Sequence, residues 1–448
     1  MREKAIIKFI KKLLKKNRAH KPAVSSTNII PRNKHSISKA DISNNALKVL
    51  NRLISGGFQA YLVGGSVRDL LLHKAPKDFD VATNATPNEI KNLFRNGRII
   101  GRRFKLVHIL FHREIIEVAT FRGHDAVDDS HQTNERGMLV RDNVYGSLDE
   151  DAWRRDFTIN SLYYNIHDSS IVDFTGGVDD VHNKLIRMIG DPVTRYKEDP
   201  VRMLRAIRFS AKLHFKLSLE TEAPFPEISY LITHVSNSRL FDEMTKLYQC
   251  GEAETVQRLL MQYGLFQHLC PQTAHLLDSP YPLKALLGIA LENTDTRIRD
   301  NKPVTPAFLF AILLWFPMLE RSKQLHASGL DPLPALEKAM SVVIAEQNKV
   351  VSIPKRYTQV IREIWLLQYR FSKRLGTRAS NLLQHPRFRA AYDFMALRAI
   401  AGDESMELAD WWTTFQEVEE EEQHKMIAQI APTMPAKPRQ RRKPKVEK

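Results

Sequence analysis

Residues 61–83, YLVGGSVRDLLLHKAPKDFDVAT, constrain what this chain can fold into more than any other stretch. They read as an apolar strand, a glycine turn, a helical turn, a polar loop and a second strand with two aspartates one residue apart. Side chains alternate along an extended strand, so Asp78 and Asp80 project to one side while Phe79 and Val81 project to the other. Two carboxylates that close repel each other unless a cation lies between them. Upstream, Gly64, Gly65 and Ser66 let the backbone approach a ligand closely, and the following helix turns free N–H groups toward an anion. A phosphate cradle beside a divalent-metal clamp is what nucleotidyl transfer requires. A surface turn followed by an ordinary half-buried strand would carry the same letters, so the remainder of the chain has to decide.

The chain has 448 residues, 43% hydrophobic and 26% charged, which suits a globular protein of two or more domains. No apolar run is long enough to span a bilayer. Two cysteines, Cys250 and Cys270, are too few for a disulfide framework or a cysteine-rich zinc site and suit a reducing cytoplasm. The net charge of +16 implies a polyanionic partner, with nucleic acid the first candidate. That charge is concentrated at the ends. Residues 1–22 place Ile6, Ile10, Leu13 and Leu14 at helical spacing among lysines, which reads either as a basic amphipathic helix on anionic membrane or RNA, or as a solvated extension. Lysines at 8, 11 and 12 interrupt the apolar core a secretory signal needs, so export is not expected. The basic C-terminal run, KPRQRRKPKVEK, is broken by prolines and expected to be disordered, with phosphate contacts as its use.

Residues 23–40 read as a linker, and ISNNALKVLNRLISGG as a helix stopping at its glycines. In ATPNEIKNLF, Thr86 is placed to cap a helix, with Pro87 in its first position and Glu89 completing a capping box. GRIIG, KLVHILFH and REIIEVATF read as strands; in the last, Ile116 and Val118 share a face and Glu117 takes the other, as a third metal carboxylate or an edge charge. Residues 123–150 lack periodicity and read as loop. RRDFTINSLYYN returns to ordered sequence, TGGVDD is a tight turn, and from Val181 the chain reads as almost all helix. RYKEDPVRMLRAIRFSAKL spaces Asp199, Arg202, Arg205 and Arg208 by three along one drifting helical face. Such a row can present forked donors to a triphosphate or to base edges, or be a salt-bridged helix surface. LLQHPRFRAAYDFMALRA interleaves Arg387, Arg389 and Arg398 with Phe388, Tyr392 and Phe394, suiting single-stranded nucleic acid or a packed helix with charged outer faces. No internal repeat is evident.

LVGGSVRDLLL…KDFDVAT, EVATFR, RRDFTINSLYYN, TGGVDD and GDPVTRYKEDPVRMLRAIRFSAKL together resemble, in order, the bacterial class II nucleotidyltransferases. That family holds the CCA-adding enzymes of tRNA and the bacterial poly(A) polymerases, and the resemblance covers roughly residues 45–220. It implies an α+β architecture: a polymerase-β-like nucleotidyltransferase head with a small mixed sheet, followed by all-helical neck, body and tail. The expected segments are a basic extension and linker over 1–40, the head over 41–180, the neck over 181–255, an RNA-binding body and tail over 256–428, and a basic tail over 429–448.

The run IIGRRFKLVHI at 99–109, HPRFRAAYDF and the basic ends resemble the poly(A) polymerase side of the family. The resemblance then implies template-independent transfer of AMP from ATP to RNA 3′ ends in mRNA processing and decay, in the cytoplasm. The rivals are a CCA-adding enzyme using CTP and ATP, and an inactive RNA-binding protein on the same scaffold. By position, Asp78 and Asp80, with Glu117 as a third candidate, match the ligands of two Mg2+ ions. Gly64, Gly65, Ser66 and Arg68 match the nucleotide-contacting turn, and Arg155 with Asp156 the motif near the nucleotide sugar and catalytic centre. Asp199, Arg202, Arg205 and Arg208 match the helix that recognises base and phosphates. Arg387, Arg389, Arg439, Arg441, Arg442 and Lys443 are the candidate RNA contacts. RNA 3′ ends are the expected partner, with RNA-decay machinery and a membrane surface at residues 1–22 as further candidates and no DNA.

Overall fold

The computed structural model describes residues 28–101, 105–123, 131–133, 139–142 and 144–430, with backbone alone for 131–133 and 139–142. The amphipathic reading of residues 1–22, the arginines at 102 and 103, and Arg439, Arg441, Arg442 and Lys443 lie outside the described residues. The chain divides into two compact units between Leu231 and Ile232.

The first unit is built on strands β1 (Asn28–Ile30), β2 (Ala60–Val63), β3 (Asp80–Thr83), β4 (Gly97–Ile100), β5 (Leu106–Phe111) and β6 (Glu114–Thr120). A small pair follows, β7 (His131–Thr133) with β8 (Leu139–Asp142), and then β9 (Leu162–Tyr164) and β10 (Ile171–Asp173). Eight of these form one sheet in the order β1-β10-β9-β2-β3-β6-β5-β4. Every neighbouring pair in it is antiparallel except β3 with β6, so the sheet is mixed. Val81, Ala82 and Thr83 are buried on both faces, as a central strand requires.

Helix α1 (Asn44–Ser55) starts where the Ser43 hydroxyl accepts from the Ala46 N–H at 3.1 Å, and it ends at Gly56. It buries Ala46, Val49, Leu50 and Leu53, one stripe at the spacing of a helix face, against the sheet. Helix α2 (Gly65–Leu71) follows β2 directly, and α3 (Pro87–Leu93) opens with the expected capping box between Thr86 and Glu89. On β6, Ile116 and Val118 are fully buried and Glu117 faces out. In the TGGVDD turn, the Asp173 carboxylate accepts from the backbone N–H groups of Thr175, Gly176, Gly177 and Val178 at 2.9–3.1 Å. That satisfies donors the turn would otherwise bury.

Several sequence readings need correction. Asn28–Ile30, inside the stretch read as linker, adds an edge strand to β10, because a three-residue strand can be held by a neighbour its own sequence does not reveal. The stretch 123–150 is not all loop: it holds β7 and β8 and the first residues of α4 (Leu148–Arg154), whose Ser147–Glu150 capping box was there to be seen. The neck row is not one continuous helix. Helix α5 (Pro192–Glu198) stops at Asp199 and α6 (Val201–Leu213) begins after Pro200. Proline disfavours helical geometry in the residue before it, and Asp199 is extended at φ −148°, ψ 94°.

In the second unit, the regular elements described from residue 237 to residue 430 are all helices. PAFLFAILLWFPML forms Pro306–Leu313 and the start of Trp315–Ala327, broken at Leu314 and apolar on all sides because it is buried on all sides. A C-terminal cluster packs Phe371, Phe388, Trp412 and Phe415, with the Trp412 indole N–H donating to the Phe371 carbonyl at 3.0 Å. Phe388, Tyr392 and Phe394 are therefore core residues, and the aromatic interleaving around Arg387 and Arg389 reflects packing rather than base-stacking platforms. No described helix is long and apolar enough to cross a membrane.

Candidate active site

Gly64 makes the turn from β2 into α2 at φ +75°, ψ −130°, a conformation open to glycine alone. Its N–H donates to the Leu162 carbonyl at 3.1 Å, so β9 holds the turn in place. A side chain on Gly64 would point at Nη1 of Arg155 and the carbonyl of Asn160, each 3.5 Å from the added carbon. The glycine turn thus lies against the arginine supplied by the RRDF motif. Ser66 is buried and donates its hydroxyl to the Val63 carbonyl at 3.1 Å, so the structure gives this hydroxyl an internal partner. Arg68 is also buried: Nε and Nη2 donate to Asp69 at 2.9 and 2.7 Å, and Nη1 donates to the Asn160 side chain at 2.7 Å.

Asp78 lies exposed in the bend before β3, and Asp80 is the first residue of the strand. Asp78 and the buried Phe79 thus lie outside the strand on which the sequence reading placed both aspartates, because the strand pairing with β2 begins only at Asp80. Register places Asp80 beside Glu117 on parallel β6, and Glu117 beside His108 on β5, so the three side chains share one row across one face. His108 Nε2 stands 2.9 Å from the Glu117 carboxylate. The same face carries Val63, Ala82, Tyr163 and Val172, an apolar cluster packed under Ala152 of α4. That cluster is why Asp80 is poorly hydrated: burial first, then the charges of Glu117 and Asp78, push its carboxyl up to about 6, with Arg155 acting the other way. Among the described residues no three His, Cys, Asp or Glu side chains close into a group that would hold a metal by geometry alone. The donor chemistry nevertheless fits a divalent cation, since hard carboxylate oxygens are gathered where their mutual charge is unfavourable.

Behind the carboxylates stands a buried network. Arg155 donates from Nε to the Tyr163 hydroxyl at 2.9 Å and from Nη2 to Asp151 at 3.0 Å, while Tyr163 donates to Asp151 at 2.6 Å. Burial disfavours the Arg155 charge, but Tyr163 and Asp151 outweigh it and hold the guanidinium firmly protonated. Asp156 accepts from the Phe157 N–H at 2.9 Å, from Asn160 at 3.2 Å and from Arg205 Nε at 2.6 Å. Burial works against its charge, yet Arg205, Asn160 and the Phe157 N–H hold this carboxyl down at about 2. Arg202 is buried and donates Nη1 to the Arg195 carbonyl at 2.7 Å and to Glu198 at 2.9 Å. Arg195 in turn donates Nη2 to the carbonyls of Arg154 and Arg155, tying α5 to the end of α4. Arg154 is pushed down to about 10 by burial, then by Arg122, Arg195 and Arg202. Glu198 and Asp151 answer these four guanidinium groups only in part, which leaves net positive charge suited to a polyanion. Asp199 is half-buried beside them, its carboxylate accepting from the Val201 N–H at 3.3 Å.

The structure therefore brings Gly64, Asp80, Arg155, Asp156 and Arg205 into one connected region of the first unit. Arg208 joins through Phe209: the guanidinium groups of Arg68, Arg205 and Arg208 lie 5.5, 5.3 and 4.8 Å from the centre of that one ring. Asp151, Asn160, Tyr163, Arg195 and Phe209 escaped the sequence reading. Asn160, Tyr163, Arg195 and Phe209 stood inside motifs already singled out, but a buried carboxamide, a buried hydroxyl, a helix-tying arginine and a shared ring have no spacing signature.

Family models match three stretches: "Poly A polymerase head domain" over residues 60–187, "Probable RNA and SrmB- binding site of polymerase A" over 214–277, and "Polymerase A arginine-rich C-terminus" over 328–446. The chain is 48% identical over 426 residues to poly(A) polymerase I of Salmonella typhi, covering 93% of this chain and 91% of that one. The chain belongs to the bacterial poly(A) polymerase family. Membership carries the enzyme class, a polynucleotide adenylyltransferase that extends RNA 3′ ends without a template. A CCA-adding enzyme of Lactobacillus helveticus is 40% identical over 207 residues, only 46% of this chain and 50% of that one, whereas the poly(A) polymerase likeness spans 93% of this chain. The fold itself is shared more widely. The Bacillus stearothermophilus CCA-adding enzyme, solved in complex with CTP, superposes with a TM-score of 0.56 at 24% identity over 82% of this chain and 80% of that one.

Proposed function

We propose that the region around Asp80, Arg155 and Asp156 is the site of adenylate transfer. The RNA 3′-hydroxyl oxygen bonds to the α-phosphorus of ATP as the bond from that phosphorus to the β-bridging oxygen breaks, releasing pyrophosphate. Asp78 and Asp80, with Glu117 beside them, would hold divalent magnesium, which when bound supplies a lowered hydroxyl pKa and charge neutralisation at the phosphates. The observation that carries this reading is the Asp80 carboxyl, crowded by Glu117 and Asp78 on an apolar sheet face and pushed up to about 6. A carboxylate so placed gains from a cation more than a hydrated one would.

The chain's own residues supply position and charge. Gly64 and Gly65 keep the backbone low where the triphosphate lies. Arg155, clamped by Asp151 and Tyr163, presents a fixed positive charge behind it. Arg205, oriented by Asp156, and Arg208 face the phosphates. Arg202, whose plane is set by Glu198 and the Arg195 carbonyl, reads the adenine edge together with Asp199. RNA enters as the primer, within mRNA processing and decay in the cytoplasm.

The test offers generic RNA, and separately tRNA lacking its terminal nucleotides, to the full chain with ATP or CTP alone. Long ATP-dependent products on generic RNA are expected; strict dependence on tRNA with use of CTP would reverse the assignment. Asp80→Asn should abolish AMP incorporation in a folded protein, and near-normal activity would remove Asp80 from the metal site.

A further inference from the structure

The sequence reading placed RNA contacts at Arg387 and Arg389, and the structure gives each an acidic neighbour: Arg387 pairs with Glu363 at 2.9 Å and Arg389 with Asp393 at 3.0 Å. Between those two acids the chain carries no acidic residue over positions 364–392, while Arg370, Lys373, Arg374 and Arg378 crowd the preceding turn. That turn joins helices Lys355–Phe371 and Arg378–Leu383. Arg370, Lys373 and Arg378 are exposed, and among the described residues none of the three has an acidic partner. Elsewhere among the described residues of the second unit, surface lysines at 246, 284, 302, 349 and 425 each meet a carboxylate while the exposed Lys338 and Lys355 do not, so what sets the turn apart is the grouping of its cations. The helix C-terminus favours one nearby cation, but its field fades within a turn and does not account for four.

The turn also carries flat apolar surface. Tyr369 is 46% exposed with the Lys373 ammonium 3.9 Å from its ring centre. The Arg374 guanidinium lies 4.9 Å from the Trp411 ring, which stacks on Phe415 at 4.5 Å. Unpaired cations beside a partly exposed ring, on a helix-to-helix turn, make a surface that fits a phosphate backbone with one base stacked on an aromatic face.

We propose that the turn at residues 369–378 is a docking surface for single-stranded RNA upstream of the reacting 3′ end, with Tyr369 as the stacking platform. The proposal rests on the polyadenylation reading and deepens it by naming where the body of the substrate is held. A 20-nucleotide primer has backbone beyond its reacting 3′ end for this turn to hold, and a trinucleotide has almost none, so binding here affects long primers and not very short ones.

The experiment uses the full chain, a fluorescein-labelled 20-nucleotide RNA and a trinucleotide primer. The triple substitution Arg370→Ser, Lys373→Ser and Arg378→Ser should weaken RNA binding by at least about 10-fold and flatten the log–log salt dependence by about 2, the slope expected of three lost phosphate contacts on a single strand. Tyr369→Ala should weaken binding by about 5-fold or more while Tyr369→Phe retains it, since stacking needs the ring and not the hydroxyl. AMP addition to the trinucleotide should stay at the parental rate in all three variants. Unchanged RNA affinity and salt slope in a folded triple variant overturn the proposal. So does lost binding to phosphatidylserine vesicles with RNA binding intact, which would make the turn a membrane contact. Failure of the parental chain to incorporate AMP at all would strike the polyadenylation reading instead, because RNA affinity is measured without catalysis.

Discussion

Removing Arg205 should expose how much the Asp156 carboxylate depends on it, and how that dependence fades in acid. The Asp156 side chain is only 11% exposed, and Arg205 approaches it with two guanidinium nitrogens at 2.6 Å. The pair, Asn160 and the Phe157 N–H together hold the carboxyl at about 2 against a usual 3.8. A difference of that size corresponds to about 2.5 kcal/mol favouring the folded charged form. The sign follows from the lowered value: the contribution is fully present above pH 3.8 and is lost as pH falls toward 2. In Arg205→Met the burial that raises the carboxyl remains while its main opponent is gone, so Asp156 becomes an uncompensated buried charge. Breaking a buried pair in this way costs about 3–5 kcal/mol, and because a third of the Arg205 side chain is exposed, about 2–3 kcal/mol is expected near pH 7. Protonating Asp156 relieves the variant, so the deficit should shrink as pH falls through about 4 toward 3. Urea denaturation of both proteins from pH 3.5 to 8 measures it. A deficit below about 0.5 kcal/mol, or one that stays constant with pH, would refute the assignment of Arg205 as the group that keeps Asp156 charged.

Asp80 predicts the opposite limb. Its carboxyl, pushed up to about 6, favours the folded state below the usual carboxylate range and loses that benefit as pH rises through about 6, where the charged form takes over. Adenylation at limiting magnesium should therefore fall as pH drops from 7 to 5, and excess magnesium should shift the fall to lower pH; a profile indifferent to magnesium would contradict the carboxylate's place in the cation site. Phe209→Leu takes away the ring shared by Arg68, Arg205 and Arg208. Three weak cation–π contacts of about 0.5 kcal/mol each give an expected rise of about 10-fold in KM for ATP, with Phe209→Tyr restoring it. Steady-state kinetics with unchanged KM in the leucine variant would reduce Phe209 to packing.

The parts of the molecule legible in the sequence are those governed by local rules. The Thr86–Pro87–Glu89 helix start, the glycine stop after α1 and the alternation on β6 each depend on residues within one or two turns, and each appears in the structure as read. Readings failed where a distant partner decides: β1 exists because β10 offers it an edge, and Phe388 and Phe394 look like nucleic-acid stackers until Phe371, Trp412 and Trp315 pack on them. The three-residue spacing of Asp199 and the arginines suggested one face, and the single residue Pro200 divided it.

The active region shows the same division at finer grain. The acids that would meet a cation and the arginines that would meet phosphate are chemically conspicuous, and short motifs carry them. What fixes them is inconspicuous: Asp151 and Tyr163 around Arg155, Asn160 between Arg68 and Asp156, the Arg195 guanidinium on two carbonyls of the RRDF segment. These contacts join residues separated by up to 92 positions, and no periodicity relates them. They also explain why so many buried charges coexist. Each arginine spends part of its donor set on a neighbour of fixed geometry, so the site keeps its charge and loses its freedom before any nucleotide arrives. For the adenylate transfer proposed above, a site prepared in this way would already have met the cost of ordering the groups that developing charge on the α-phosphate needs. Weakening an Asn160 or Asp151 contact should then lower kcat more than it raises KM for ATP, because positioning is lost while the charges that bind the ground state remain.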